Sequence, residues 1–554
     1  MGTKKILMIG GSAASIRSAL DLARDGNTVY LVETSPGIGR GGVPPSTSPL
    51  SKESDFDPSL WQEVNREENL QVIRNAVVEG IEKDGSGYRA RVRKPALRVV
   101  EEKCNDCKEC IKVCPVSLWD DYNEGLVLRT AIDSFNTKTR TYNVVTERPI
   151  CEETCPVHLD VRGYVGWIAD GRFQESLRLI KEKLPFPGSI GRVCPHPCEE
   201  KCNRNHLDNA PLCIRNLKRF AADAATGEEG GETIGKVAPN GKKVAVIGAG
   251  PCGLTCAHDL ARLGYPVTVF ESSPVAGGML ALGIPKYRLP RHILNTEIDA
   301  IQKLGVDIQT GIQIGKDLAF EDLLGQGYEA IFIAIGAHIG MKARMDGEDA
   351  QGVVSGVDFL RTLNLGGDVR VEDRVAVIGG GNVAMDAARS SLRLGAQEVT
   401  ILYRRSRAEM PACDEEIDAA LAEGIRIEYL VAPIGVVTKD NRVAGIRCIR
   451  MELGEPDASG RRRPLPVEGS EFEMELAMIL PAIGQTPDLS FLPEDGSIQA
   501  TKWGTIVTDP VTFSTSKKGV FSAGDCVTGP GIAIEAIAGG KRAALSIDSY
   551  LKAQ

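Results

Sequence analysis

The feature that most constrains this chain is one local unit used three times. An apolar, β-branched run leads into a glycine turn, a helix of small residues follows, and a second run ends in a charged residue. The unit occurs in "KKILMIGGSAAS…TVYLVE" from Lys4, in "KKVAVIGAGPCG…PVTVFE" from Lys242 and in "DRVAVIGGGNVA…EVTILYRR" from Asp373. This is the βαβ pattern that binds dinucleotides. Its first glycine makes the turn, its second lets backbone approach a pyrophosphate, and its third lets helix pack on strand. Three such units in 554 residues exceed one core and call for several domains of α/β class.

The second unit carries the full motif, Gly248-x-Gly250-x-x-Gly253, between the strand "KVAVI" and the helix "PCGLTCAHDLARLG". A pyrophosphate is expected on that helix N-terminus, with Glu271 taking the adenosine ribose hydroxyls. Far downstream, "GVFSAGDCVTGPGIAIEAIAGG" sets Gly524 and Asp525 after a strand and opens a helix near Ala533 and Ile534. In flavoproteins with two dinucleotide domains, an aspartate so placed holds the ribityl chain and the helix faces the flavin. FAD is therefore expected here. Gly379-x-Gly381-Asn382-Val383-Ala384 lies between these two FAD segments and reads as an inserted second nucleotide domain. Its second strand ends in Arg404 and Arg405, where a guanidinium pair can grip an adenosine 2′-phosphate and favour NADP(H) over NAD(H).

Ten of the 15 cysteines fall between Cys104 and Cys213. Cys104-x2-Cys107-x2-Cys110-x3-Cys114-Pro115 has the bacterial ferredoxin spacing and predicts a 4Fe–4S cluster. A second set, Cys151, Cys155, Cys194, Cys198, Cys202 and Cys213, sits in and around a helical stretch and predicts at least one further cluster. Cys252, Cys256, Cys413, Cys448 and Cys526 lack ligand spacing and read as small buried hydrophobes. A net charge of −9 excludes a general attraction to nucleic acid or an anionic membrane, and Arg461–Arg463 is expected as a solvated loop. No apolar stretch reaches the ~20 residues of a membrane span, and the start reads as a strand, so a cytoplasmic location is expected.

From Arg148 onward the chain resembles the small-subunit family of NADPH-dependent glutamate synthase, which includes the NADPH-binding subunit of NADH-dependent ferredoxin:NADP oxidoreductase. The likeness rests on "RVCPHPCEEKC", "LKRFAAD", "GAGPCGL", "GGMLALGIPKYRLP", "AIGA", "GGGNVAMDAAR", "YRRSRAEMPA", "AIGQTPD" and "VFSAGD". It implies a glutathione-reductase-like, two-nucleotide fold behind a helical iron–sulfur domain. It adds Pro251, Cys252, Gly277, Gly278, Ile314 and Gly336 to the FAD site and Gly484 to the NADP(H) site. The first part resembles the N-terminus of the FAD-containing subunit of heterodisulfide reductase, through "GGSAAS", "VYLVETSPGIGRGG", the four-cysteine run and "YNEGLVLRTAI".

The departures carry information. Ser12 and Ser15 replace two glycines of the first unit, and no second half follows, so one FAD per chain is expected and the N-terminal half-unit is read as a scaffold. "VVTERPI" lacks the cysteine pair that usually precedes the position of Cys151. The family's acidic or amide ligand falls at Lys218, which cannot serve, and Cys213 is a candidate substitute. Matching position assigns Cys155, Cys194 and Cys198 to the surviving cluster, with Cys151 and Cys202 left over or rearranged.

The expected domains are a degenerate Rossmann-like segment (1–98), a ferredoxin-like segment (99–145), a helical iron–sulfur domain (146–235), an FAD domain (236–365 and 481–554) and an NADP(H) domain (366–480). The expected function is electron transfer between NADP(H) and 4Fe–4S clusters through FAD, hydride passing directly between cofactors without a catalytic side chain. The chain is read as one component of a larger, bifurcating or simple, oxidoreductase with NADH-oxidising or ferredoxin-linked partners. The alternatives are the small chain of a glutamate synthase and a non-catalytic electron-wiring scaffold. A disulfide reductase is disfavoured, because "GGMLALGIPK" offers no cysteine pair.

Overall fold

The computed structural model describes residues 4–10, 13–33, 63–64, 66–73, 76–85 and 87–93, the strands at 117–119, 128–130, 132–136 and 141–144, and residues 149–206, 208–225, 238–457, 460–493 and 495–554. Cys104, Cys107, Cys110, Cys114 and Ser12 lie outside them. The chain divides into two units, Met1–Pro149 and Ile150–Gln554.

In the first unit, β1 (Lys5–Ile9), β2 (Thr28–Val32) and β3 (Leu70–Ile73) form a parallel sheet in the order β1-β2-β3. The helix α1 (Ala13–Arg24) buries Ile16, Leu20 and Ala23, one apolar stripe at helical spacing, against Val29 and Leu31. Gly10 makes the turn between β1 and α1 at φ +101°. The first glycine unit therefore folds as a βαβ unit with a third parallel strand. Antiparallel pairs follow among the described residues: β4 (Val77–Asp84) with β5 (Gly87–Arg93), β6 (Ser117–Trp119) with β7 (Leu128–Thr130), and β8 (Ile132–Asn136) with β9 (Thr141–Val144).

The second unit opens with short helices: α2 (Ile150–Glu153), α3 (Val161–Ala169), α4 (Phe173–Lys181), α5 (Pro187–Val193), α6 (Pro197–Glu200) and α7 (Ile214–Ala224). Asp160 caps α3 by accepting from the Gly163 N–H at 2.8 Å. Gly191 is required where α5 crosses α7, because a Cβ there would lie 2.8 Å from the Arg219 Cα.

Next come β10 (Lys243–Ile247), α8 (Pro251–Arg262), β11 (Val267–Glu271), α9 (Met279–Leu282), α10 (Arg291–Lys303), β12 (Asp307–Thr310), α11 (Phe320–Gly325) and β13 (Tyr328–Ile333). The connecting strand β14 (Ile339–Gly340) and the helix α12 (Gly356–Asn364) lead to β15 (Arg374–Ile378), α13 (Asn382–Arg393), β16 (Glu398–Tyr403), α14 (Asp414–Ala422) and β17 (Arg426–Tyr429). Then follow β18 (Val431–Lys439), β19 (Arg442–Pro456), β20 (Arg462–Pro466), β21 (Phe472–Glu475), β22 (Met478–Pro481) and the returning strand β23 (Gln485–Thr486). The last elements are β24 (Val520–Ser522), α15 (Asp525–Thr528) and α16 (Ala533–Lys552).

Two parallel sheets result. One has the order β12-β11-β10-β13-β24 and the other β17-β16-β15-β22, so the second is inserted into the first. β14 and β23 pair antiparallel, Ile339 opposite Thr486, and carry the chain out and back. Such strands, buried on both faces, are apolar along their length: Val244, Val246, Ile331 and Phe332 are fully buried. The Arg461–Arg463 run is largely solvent-exposed, as expected, but only Arg461 lies in a loop. Arg462 begins β20 and pairs with Pro456 of β19, because the long antiparallel strand β19 offers it an edge.

One continuous core holds Tyr164, Phe186 and Ile190 of the helical segment together with Val246, Leu254 and Ile537 of the first large sheet and its helices. Glu297 on α10 reinforces that junction. It is buried, and accepts from the Gly188 N–H (2.6 Å) and the Ser189 hydroxyl (2.5 Å) at the start of α5. Burial pushes its carboxyl up to about 7 against the pull of those donors.

Candidate functional site

The glycine cradle forms where β10 gives way to α8. Gly248 sits at φ +105°, and a Cβ there would lie 2.5 Å from the Ala334 carbonyl oxygen. A Cβ on Gly253 would lie 2.0 Å from the Gly248 oxygen, so helix and turn touch as the motif demands. Gly250 differs. Its φ of −78° suits any residue, and its side-chain direction is open, the nearest atom being the Gly278 Cα at 3.9 Å. That space faces the free N–H groups at the start of α8, where Pro251 occupies the first position. A pyrophosphate fits there. Glu271 ends β11; its Oε2 accepts from the Ala249 N–H and its Oε1 from the Ser273 N–H, both at 2.8 Å. A carboxylate has about four acceptor positions, so it retains capacity for ribose hydroxyls.

A cavity of about 540 Å³ runs from this cradle. Gly248, Gly250, Pro251, Cys252, Glu271, Gly278, Ile314, Gly336, Asp525 and Ala533 line it, as expected of an FAD site. Gly253, Gly277 and Gly524 are not on its wall. Burial pushes the Asp525 carboxyl up to about 6. The only cysteine on the cavity wall, among the described residues, is Cys252, which is itself buried. No cysteine pair among them faces the cavity.

The same cavity reaches Asn382, Val383 and Asp386 on α13, so the second nucleotide turn opens onto the first site. Gly379 is at φ +141°, and a Cβ there would lie 2.3 Å from the Ala482 oxygen. Gly379, Gly381, Ala384 and Gly484 are not on the cavity wall. The arginine pair is split. Arg405 is buried; its Nε–H donates to the Arg462 carbonyl and its Nη2 pairs with Asp457, each at 2.7 Å. Arg404 is exposed.

Sequence reasoning missed a buried charge network beside the cavity. Arg288 pairs with Asp386 at 2.7 Å and with Glu416 at 3.0 Å, and Arg389 pairs with Glu416 at 2.6 Å. It joins the segment after α9 to the inserted domain. Burial pushes Asp386 up to about 7, and its Oδ1 has no hydrogen-bond partner. The available signal was Asp386 one turn beyond Asn382 on α13.

Cys155, Cys194 and Cys198 line one small cavity, together with Lys218 and Ile534. His196 lies between two of these cysteines in the left-handed conformation, φ +48°, which folds the Cys-Pro-His-Pro-Cys segment back on itself. Burial pushes the Cys194 thiol up and the Cys198 thiol up to about 12, with Lys218 the first charge acting against that rise. Cys151 and Cys202 lie off this wall, and Cys213 is exposed. Among the described residues no three Cys, His, Asp or Glu side chains close on one point as a single metal ion requires. Three thiols around a shared space are a donor set for an iron–sulfur cluster, whose thiolates sit at separate corners. Of the five other cysteines, Cys252, Cys256, Cys448 and Cys526 are buried, and Cys413 is half-buried beside Asn382.

The two cavities share their walls. Val193 and Pro195 line the larger one, and Cys194 between them lines the cysteine cavity. Ile532, Ala533 and Ala536 line the larger one, and Ile534 the smaller.

Residues 242–540 match the family model described as pyridine nucleotide-disulphide oxidoreductase, which covers more than half of the chain. The chain belongs to that family. Residues 133–230 match the dihydropyrimidine dehydrogenase domain II, 4Fe–4S cluster, model. The chain is 50% identical over 437 residues to the NADP(+)-dependent formate dehydrogenase subunit beta of Moorella thermoacetica, across 74% of this chain and 61% of that protein. It is 44% identical over 428 residues to the NADPH-Fe(3+) oxidoreductase subunit beta of Geobacter sulfurreducens, across 73% and 63%. It is 35% identical over 422 residues to the glutamate synthase [NADPH] small chain of Escherichia coli, across 73% and 89%. The chain spans about three fifths of the length of the first two relatives. This family member is thus an iron–sulfur flavoprotein oxidoreductase, with FAD, NADP(H) and 4Fe–4S as its cofactors. Among the described residues no helix is long and apolar enough to cross a membrane.

Proposed function

We propose that this chain is the NADP(H)-linked flavoprotein component of a larger redox assembly, moving electrons between NADP(H) and iron–sulfur clusters. The observation that carries the reading is the shared wall: neighbouring residues of 193–195 and of 532–536 face the dinucleotide cavity and the cysteine cavity in turn. When bound, FAD exchanges electrons in pairs with nicotinamide and singly with clusters. The protein's part is to position and to exclude water. Gly248 and Gly250 admit the pyrophosphate, Asp525 orients the ribityl chain, and α16 presents its N-terminus to the ring. Cys155, Cys194 and Cys198 hold a cluster one residue away from that site. Cys104, Cys107, Cys110 and Cys114 hold another in the N-terminal unit. The named relatives include components of a formate dehydrogenase and of an Fe(3+) oxidoreductase, which supports a partner that supplies or takes electrons.

The test is a metal count. In anaerobically purified full chain, Cys107→Ser and Cys194→Ser should each lower iron by about four atoms while FAD stays bound. Iron unchanged in either variant contradicts that cluster assignment, and zinc in place of iron contradicts both.

A further inference from the structure

The cysteine cavity contains three thiols and one amine. Cys155 follows α2, Cys194 ends α5 and Cys198 lies in α6, while Lys218 enters from α7. Lys218 is 5% exposed, so it stands in the protein rather than at its surface. Lysines are almost never so buried without a counter-charge. Arg215, the other cation near these thiols, is already paired with Glu415 at 2.6 Å. Among the described residues no carboxylate lines the cavity with Lys218, and neither does a fourth thiol. Cys213, one residue before α7, is exposed, and its neighbour Ile214 faces the cavity instead.

A cubane cluster takes four ligands and is anionic with thiolates around it. Three thiolates here leave one corner, and the side chain on that wall is a cation. Charge near a cluster is among the factors that set its reduction potential, and a buried charge is screened little. We propose that Lys218 stands at the fourth corner of a three-cysteine cluster, leaving one iron without a thiolate ligand and raising the cluster's reduction potential by its charge. This rests on the cluster assignment made above for Cys155, Cys194 and Cys198. The consequence is twofold. The cluster beside the dinucleotide cavity is an easier electron acceptor than an all-thiolate one, and its fourth iron is open to a small anionic ligand. Lys218 acts here as a positioning residue, through charge.

The experiment uses the full chain carrying Cys107→Ser, so that one cluster dominates the spectrum, purified anaerobically. Iron and FAD are counted first; a preparation lacking this cluster's iron counts against the underlying assignment, not against Lys218. Potentiometric titration followed by electron paramagnetic resonance should then give a lower midpoint for Lys218→Met than for its parent. The expected change is at least tenfold in the reduction equilibrium, about 59 mV for one electron. Lys218→Arg, which keeps the charge, should stay near the parent. Added cyanide should shift the parent's spectrum, and Lys218→Cys should abolish that response by supplying a fourth thiolate. An unchanged midpoint in Lys218→Met overturns the role of the charge. A parent spectrum indifferent to cyanide overturns the open corner.

Discussion

Gly250→Val should yield a folded protein without FAD. The structure separates this position from its neighbours in the motif. A side chain at Gly248 or Gly253 would strike backbone at 2.5 or 2.0 Å, so those substitutions damage the fold itself. Gly250 has a φ open to any residue and nothing nearer than 3.9 Å on its side-chain side. The branched side chain would fill only the space where a pyrophosphate must approach. Flavin released on denaturation should fall from about one per chain to almost none, with the thermal transition kept by the apolar sheet. Asp525→Ala should also remove FAD, by deleting the ribityl partner. Gly10→Val should leave the flavin count unchanged, because the N-terminal half-unit offers no second ribityl-binding segment. Two flavins per chain in the native protein, or retained FAD in Gly250→Val, would contradict this account.

The second large effect concerns Arg404. Since Arg405 is committed to Asp457 and the Arg462 carbonyl, the exposed Arg404 is the member of the pair available to a 2′-phosphate. Losing a charge-assisted contact to phosphate costs on the order of 1.5–3 kcal/mol. Arg404→Ala should therefore raise the Michaelis constant for NADPH roughly ten- to hundredfold and leave that for NADH nearly unchanged. Arg405→Ala should instead lower thermal stability, since it strips Asp457 of its buried partner. Equal effects of Arg404→Ala on both cofactors would remove the case for NADP(H) selection at this position.

Legibility from sequence followed the range of the interactions. The glycine cradle and Glu271 depend on residues within one βαβ unit, and the insertion of one nucleotide domain into the other shows in the order of such units along the chain, so spacing alone revealed them. The fate of Arg405 did not, because its partners lie 52 and 57 residues downstream and β20 reads locally as a charged loop. The Arg288–Asp386–Glu416 network was equally hidden, since it joins three segments that no periodicity connects. The cysteine set shows both behaviours. Clustering pointed to metal chemistry and the family resemblance set Cys155, Cys194 and Cys198 apart, while the packing of α5, α6 and α7 is what places them on one wall with Lys218 and leaves Cys213 exposed. The alternating walls at 193–195 and 532–536 are a tertiary fact with no sequence signature.

That shared wall is the central claim, and one measurement addresses it directly. NADPH is added anaerobically to the full chain carrying Cys107→Ser, and flavin absorbance and the cluster's paramagnetic signal are followed together. Flavin bleaching should be followed by appearance of a reduced-cluster signal, and the further change Cys194→Ser should keep the bleaching while abolishing that signal. Bleaching with no cluster reduction at any time, or a cluster signal that survives Cys194→Ser, would contradict a cluster seated beside the dinucleotide cavity.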